Sequence, residues 1–351
     1  MLAAACLVGV ALRIWLARQA PHSTDLDAYG EVLALVRSGR PVYEGTAHFN
    51  YPPLWFWTVG ALGRLAETLG IPFALAVRSL LILVDVTIGA VLYRLAGRLG
   101  TVRPIAAAAF FLANPMTIWI GAAQAQFDGV MVLFVLLALL ADSRKAASPR
   151  EAPRWRSMLS LAAAIGFKQA AAFHPILWFR GPHRWRALVP WALVAAAFLP
   201  YAAQARAIRD HVLLYRTVPR SFGFSEFVTY DDRWALPVSL LAVLAAVLAA
   251  WLLRERERCR SSLMIFLVLL VFAPGFGIQY LVWPLALGAL FGGAGFWLTT
   301  AAGLLWTDVG GGWSRLSGVN QFGGQLLWLA LVFWTLQELE RLRRPRLVRA
   351  P

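Results

Sequence analysis

Long apolar runs separated by short arginine-rich segments constrain this chain more than any other feature. Runs such as 73–93 and 236–253 approach the ~20 apolar residues that an α-helix needs to cross the hydrocarbon layer of a bilayer. Hydrophobic residues make up 60% of the 351 and charged residues only 15%, which is far more apolar than a soluble domain. The sequence therefore predicts an all-α polytopic membrane protein.

The net charge of +15 is a topology signal. Nearly all of it is arginine, in clusters between apolar runs, and lysine occurs only at 145 and 168. Arginine-dense loops of this kind stay on the cytoplasmic side of a membrane. We therefore expect membrane lipids as surroundings and no nucleic-acid partner.

Counting the runs so that every arginine-dense loop is cytoplasmic predicts about 9 to 11 transmembrane helices, the first of them a retained helix. Residues 53–65 are apolar but too short for a span, so we expect a second interfacial helix in the external loop after helix 1. The apolar stretch 162–175, which contains Lys168, lies between two arginine clusters. Two half-helices that meet near Lys168 would keep both clusters inside.

The most informative local stretch is 24–54, which opens T-D-L-D-A-Y and closes N-Y-P-P-L. Thr24 and Asp27 have the spacing of a capping box, and an apolar stripe follows at helical spacing, formed by Tyr29, Val32, Leu33 and Val36. In a helix Asp25 and Asp27 point to different sides, so we expect one to serve a site and the other to support the turn. The alternative is that both cap the helix and face water.

Ionisable residues inside the apolar runs are the next candidates, because charge at membrane depth usually faces a polar cavity. Arg78 and Asp85 share one face of a predicted helix, either as functional groups or in a structural ion pair with other helices. Lys168 lies beside Gln169 and near His174. A buried lysine aimed at a cavity is a good phosphate ligand, whereas a lone lysine would extend towards the headgroups.

Taken in order, these motifs resemble the glycosyltransferase C superfamily, membrane enzymes that use polyprenyl-phosphate sugars. Over residues 20–180 they are similar to the dolichyl-phosphate-glucose glucosyltransferases. The similar pieces are the acidic motif at Asp25 and Asp27, the Y-P-P-L turn from Tyr51 to Leu54, the helix with Arg78 and Asp85, Gln126-Phe127-Asp128, and Phe167-Lys168-Gln169. Two later motifs depart from that pattern: Phe222 stands where a second arginine is expected, with Arg220 two positions early, and Gly277-Ile278-Gln279-Tyr280 replaces H-E-K. These departures favour bacterial mannosyltransferase-like relatives.

The resemblance implies one glycosyltransferase domain over 1–351, with the catalytic module in 1–180 and C-terminal helices in 181–351. It implies inverting transfer of glucose or mannose from a polyprenyl-phosphate donor to a lipid-linked or envelope glycan acceptor, outside the cytoplasmic membrane of a bacterium. Asp25 is then the base, and Asp27 a supporting acid. The expected phosphate ligands are Lys168, Arg220 and Arg78, and the expected substrate contacts are Gln126, Asp128, Gln169, Gln279 and Tyr280.

A phosphate monoester leaving group needs less help than a nucleotide diphosphate, so we expect no essential metal and no cofactor; the alternative is that Asp27 is a metal ligand. The competing class is a polytopic transporter or a flippase of lipid-linked sugars, because polytopic helices with buried charge occur there too. Against it, the sequence shows no inverted repeat. A ligase or O-mannosyltransferase of the same superfamily would differ in its acceptor.

Overall fold

The computed structural model describes residues 1–20, 23–143, 153–181, 183–215, 224, 227, 232–306 and 317–343. All regular structure within these ranges is helical. The prediction of an all-α polytopic protein is confirmed.

Sixteen α-helices follow one another through the described ranges. They are α1 (Leu2–Gln19), α2 (Thr24–Arg37), α3 (Val42–Gly45), α4 (Leu54–Leu69), α5 (Phe73–Leu99), α6 (Pro104–Leu112), α7 (Pro115–Ile118), α8 (Asp128–Asp142), α9 (Trp155–Phe167), α10 (Val189–Phe198), α11 (Ala205–Ile208), α12 (Asp232–Leu253), α13 (Arg258–Phe272), α14 (Val282–Gly288), α15 (Ala294–Trp306) and α16 (Ser317–Arg343). Helical turns of 3₁₀ or π type connect several of them, at Trp119–Ala123, Gln169–Trp178, Arg184–Leu188, Leu199–Gln204, Arg209–Leu213 and Ile278–Leu281.

Among the described residues, candidate spans are fewer than the 9 to 11 transmembrane helices expected of the whole chain. Within the described ranges four are long and apolar enough to cross a membrane, α1, α5, α12 and the continuous segment Arg184–Leu213. A fifth is obtained if α6 and Pro115–Ala123, bent by 53°, count as one span. The break comes before Pro115, where the ring removes a backbone N–H and disfavours helix at the preceding residue. Apolar runs predict where the chain is buried, but proline and glycine divide several of them into shorter helices.

The loop after α1 carries helices as predicted. The stripe of α2 is buried at Tyr29, Val32 and Leu33, and α4 follows as a second, shorter helix. The cap lies one residue earlier than expected, because the Leu26 amide donates to Ser23 Oγ at 3.3 Å. Ser23, in place of Thr24, is therefore the N-cap of α2.

Arginine side chains of several described segments meet at one end of the helices, here called the arginine end. The C-terminal end of α8 lies at its centre, with the ends of α5 and α12 and the beginnings of α9 and α13 close by. The contacts are Arg98 Nη1 to the Leu140 carbonyl at 2.6 Å, Arg154 Nη1 to the Ala141 carbonyl at 2.9 Å, Arg180 Nη1 to the Arg254 carbonyl at 2.9 Å, and an ion pair between Arg258 and Asp142. These contacts place the described arginine side chains at one end of the helices, and the side of the membrane on which that end lies stays a prediction.

The predicted hairpin is present between α9 and Arg184–Leu188. Helix α9 ends where Lys168 takes an extended conformation (φ −152°, ψ 126°), and a 3₁₀ helix follows. The chain then returns to where α9 began, because the Trp155 and Trp185 rings lie 6.0 Å apart and Arg186 Nη1 donates to the Pro153 carbonyl at 3.4 Å. Lys168 thus lies at the turn of a hairpin whose two ends share the arginine end.

Asp85 takes part in a structural ion pair with α1. Arg13 is 0% exposed and its Nε lies 2.7 Å from Asp85 Oδ2. A second nitrogen, Nη2, donates to Thr117 Oγ1 at 3.0 Å. A buried charge needs such partners to offset the loss of hydration. Of the two interpretations of Asp85, the structure therefore supports the structural one.

Candidate active site

Asp25 lies in the first turn of α2 and faces the rest of the protein. Its carboxylate is half-buried, and Gln126 Nε2 donates a hydrogen bond to Asp25 Oδ2. Asp27, two residues on, is exposed, because residues two positions apart in a helix point to different sides of it. The structure therefore places Asp25 and Gln126 together and leaves Asp27 at the surface.

The electrostatic environment of Asp25 makes it a stronger base than an ordinary aspartate. Burial raises the pKa of its carboxyl from 3.8 to about 6, and the negative charge of Asp128 adds to the rise. The positive charge of Lys168 and the hydrogen bonds from the backbone and Gln126 oppose it. A carboxylate with a pKa close to 6 is still ionised at neutral pH and is suited to accept a proton.

Lys168 and Asp128 form a buried ion pair next to Asp25. Lys168 Nζ lies 2.7 Å from Asp128 Oδ1 and 2.8 Å from Oδ2. The two residues are 3% and 0% exposed. The indole Nε1 of Trp283 donates to Asp128 Oδ1 at 2.6 Å. Both oxygens of Asp128 are therefore occupied, and the ammonium of Lys168 is held by a carboxylate in this conformation.

Four aromatic rings surround the ammonium of Lys168 and are here called the aromatic cage. The distances from Nζ to the ring centroids are 4.4 Å for Tyr280, 5.3 Å for Tyr51, 5.4 Å for Trp283 and 5.6 Å for Phe127. Ring faces attract a cation most strongly where water is excluded. The cage therefore helps to keep Lys168 charged at this depth.

The aromatic cage is connected to α2 and α4 by further ring contacts. Trp55 stacks on Phe127 with centroids 4.2 Å apart, and Tyr29 meets Trp55 edge-on at 5.1 Å. The Tyr29 hydroxyl donates to the Ala125 carbonyl at 3.4 Å. Tyr29 follows Asp25 by one helical turn, so this packing fixes the helix that presents the carboxylate.

The other predicted site residues differ in how close they come to this centre. Gln169 Nε2 donates to the Asn50 carbonyl at 3.1 Å, and Tyr280 belongs to the cage. Gln279 is half-buried and folds back towards Gly277. Within the described ranges no hydrogen bond or ion pair joins it to Asp25 or Lys168.

Arg78 lies beside the C-terminal end of α1. Its guanidinium donates to the carbonyls of Ala17, Ala20 and Ala123 at 3.1, 3.2 and 3.3 Å. These contacts give it a structural role in joining α1 to the turn before α8, and a phosphate contact stays a prediction. Arg220 lies outside the described residues, so its predicted role stays a prediction as well.

The site and the arginine end lie at opposite ends of α8. Asp128 is the first residue of that helix and Asp142 is the last, a rise of about 21 Å at 1.5 Å per residue. Asp25 and Gln126 lie at the same end as Asp128. The candidate site therefore faces away from the arginine-rich segments.

Two parts of the arrangement were missed in the sequence. Trp283 is a hydrogen-bond donor to Asp128 across 155 positions, and nothing in its local pattern distinguishes it from an apolar core residue. Arg13 and Asp85 are opposite charges in two apolar helices, and that combination was a usable signal for a pair. No group of three or more His, Cys, Asp or Glu side chains within the described ranges is arranged to hold a metal.

Comparison with known protein families gives a match over part of the chain. Residues 25–180 match the family model of the alpha-(1->6)-mannopyranosyltransferase N-terminal domain, which is a little under half of the chain. The match supports a membrane mannosyltransferase of the glycosyltransferase C type and does not single out the dolichyl-phosphate-glucose enzymes. It supports hexose transfer as the activity. No curated protein and no solved structure gives a match.

Proposed function

We propose that this protein transfers a hexose, with mannose favoured over glucose, from a polyprenyl-phosphate donor to a lipid-linked or envelope glycan acceptor. The matched segment begins at Asp25 and contains Gln126, Asp128 and Lys168, the residues that form the candidate site. The observation that carries the proposal is the half-buried Asp25, whose pKa is raised to about 6 beside a buried ion pair. Such a carboxylate serves a proton transfer better than a structural cap does.

In the proposed reaction Asp25 takes the proton from an acceptor hydroxyl. The acceptor oxygen forms a bond to the anomeric carbon, and the bond from that carbon to the phosphate oxygen breaks. Polyprenyl phosphate leaves with the bonding electrons. A single displacement of this kind inverts the configuration at the anomeric carbon.

Negative charge grows on the departing phosphate, and a fixed cation at the site lowers the barrier. Lys168 is the proposed cation. Because its ammonium is held by Asp128 at 2.7 and 2.8 Å, a direct phosphate contact requires a remaining N–H or a shift of the pair. Asp128 is then a positioning residue for Lys168, while Arg220 and Arg78 stay proposed further ligands.

The extracytoplasmic face is the proposed side of the reaction. Arginine-dense segments are retained in the cytoplasm, and the site lies at the other end of α8. Helices α2 and α4 would then rest at the outer interface. We propose a location in the bacterial inner membrane on the same grounds.

The experiment that tests this function uses purified full-length protein in lipid nanodiscs and a panel of labelled polyprenyl-phosphate hexoses. We expect cleavage of the mannose or glucose donor when a mannan-type acceptor is present, with release of polyprenyl phosphate. Asp25→Asn should lose this turnover, while Glu31→Gln, an exposed carboxylate on the same helix, should keep it. Movement of the donor across the bilayer without cleavage would refute the transferase and favour a flippase.

A further inference from the structure

A polar cavity of about 390 Å³ lies next to the aromatic cage, on the side away from the arginine end. It is lined by Ala47, Asn50, Asp210, His211, Leu214 and Tyr215. Its walls come from the loop before α4 and from the turn Arg209–Leu213. The volume is in the range of about 300–1,000 Å³ that is usual for small-molecule sites.

Unsatisfied polar atoms surround this cavity. Among the described lining residues, Asn50 Oδ1 and His211 Nδ1 are buried atoms without a hydrogen-bond partner. Gln169 Oε1 is a third such atom, in a residue that contacts Asn50 but does not line the cavity. Buried polar atoms are nearly always paired in native proteins, so such a group calls for a ligand. The amide oxygen of Asn50 can only accept hydrogen bonds, and a ligand that satisfies it must therefore carry a donor, as sugar hydroxyls do.

The charge of the lining favours a neutral polyol over a lipid phosphate. Asp210 contributes a carboxylate, which also accepts from Arg209 Nε at 2.7 Å. The described lining holds no lysine or arginine that could bind a phosphate, and Arg209, the ion-pair partner of Asp210, is not part of it. A carboxylate repels the donor phosphate but accepts hydrogen bonds from hydroxyl groups. Tyr215 adds an aromatic ring, the apolar surface on which the C–H face of a pyranose packs.

The cavity is connected to the candidate site by direct contacts. The Tyr215 hydroxyl interacts with the side chains of Asn50 and Tyr280, and the Tyr280 ring lies 4.4 Å from Lys168 Nζ. Gln169 reaches the Asn50 carbonyl. A sugar ring bound in the cavity is therefore separated from the aromatic cage only by side chains that line the cavity.

From these contacts we infer that the cavity binds the terminal hexopyranose of the acceptor glycan. The inference rests on the proposed transferase function and assigns the binding site of its second substrate, the acceptor. Asp210, Asn50 and His211 receive hydrogen bonds from the hydroxyls, Tyr215 packs against the ring, and the attacking hydroxyl is directed towards Asp25. The donor enters separately, from the lipid.

The test is a binding and kinetic comparison on full-length protein in nanodiscs, with α-(1→6)-mannobiose as the probe. Asp210→Asn removes the charge of an exposed side chain and leaves the helix intact. We expect the dissociation constant of the disaccharide and the acceptor KM to rise about tenfold, as for a lost hydrogen bond to a charged group. The donor KM should stay within twofold of wild type.

Glu44→Gln is the matched control, because Glu44 is an exposed carboxylate in the same region that does not line the cavity. Equal effects of the two variants, or an unchanged acceptor KM in Asp210→Asn, would refute the acceptor site but not the proposed transferase function. Asp25→Asn should bind the disaccharide as wild type does. If the wild-type protein binds mannobiose but cleaves no donor, the proposed transferase function is refuted, and the assignment of this cavity to an acceptor is refuted with it.

Discussion

The buried pair of Lys168 and Asp128 gives the strongest quantitative prediction. Asp128→Asn keeps an acceptor for the Trp283 indole but removes the charge that faces Lys168. Since both residues are almost fully buried, an unpaired ammonium should cost about 3–5 kcal/mol of unfolding free energy. Lys168→Met leaves the Asp128 carboxylate unpaired and should cost a similar amount.

The double variant Lys168→Met/Asp128→Asn removes both charges. Replacing a whole buried pair by neutral groups is often nearly neutral, so its stability should lie within about 2 kcal/mol of wild type. The coupling energy of the cycle should then exceed about 3 kcal/mol, from the same magnitudes. The assay is unfolding in mixed micelles, followed by tryptophan fluorescence at increasing SDS fraction.

The exposed ion pair of Arg37 with Glu67 is the matched control for this cycle. Arg37→Met and Glu67→Gln should couple by less than about 1 kcal/mol, because exposed pairs are screened by water. If the buried pair couples no more strongly than this one, Lys168 and Asp128 are not held together as described.

The same double variant separates the two roles proposed for Lys168. A folded double variant with a raised donor KM or a lower kcat would show that the ammonium also acts on the donor phosphate. Donor kinetics equal to those of wild type would refute the phosphate role and leave Lys168 as the partner of Asp128 alone.

Three further predictions follow from the site and the topology. Because the pKa of Asp25 is raised to about 6 and the base must be ionised, kcat/KM should fall about tenfold per pH unit below pH 6. Gln126→Leu should move this acidic limb of the pH profile to higher pH, since the lost hydrogen bond stabilised the carboxylate. An acidic limb that does not move would belong to a group other than Asp25. EDTA should leave turnover unchanged, because a phosphate monoester leaves without a metal; loss of activity that Mg²⁺ or Mn²⁺ restores would contradict this. Cysteines at Arg156 and Arg184 should react with an impermeant maleimide from one side of the membrane and a cysteine at Glu44 from the other, and labelling of Arg184 together with Glu44 would refute the hairpin.

The elements that sequence predicted well depend on local periodicity and on charge counting. The stripe on α2 at Tyr29, Val32 and Leu33 is a repeat within one helix, and the structure buries it. The break near Lys168 followed from placing two arginine clusters on one side of the membrane, which constrains the path of the chain without any knowledge of packing.

Pairing between distant helices was beyond local patterns. The sequence groups Asp85 with Arg78 because the two share a helix face, yet the ion-pair partner of Asp85 is Arg13, 72 positions away. Lys168 and Asp128 were each recognised as unusual, but their bond depends on the register between α8 and the end of α9. Within the described residues, fewer helices reach the length of a full span than the 9 to 11 expected, since apolar composition does not show where proline and glycine interrupt a helix.

A single-turnover measurement with a saturating labelled donor tests the role of Asp25 most directly. Asp25→Asn should lower the rate of sugar transfer by about 10²–10⁴-fold, the usual contribution of a general base, while the donor dissociation constant stays near that of wild type. Glu31→Gln should transfer at the wild-type rate. Sugar transfer by Asp25→Asn at a rate within twofold of wild type would contradict the assignment of Asp25 as the base.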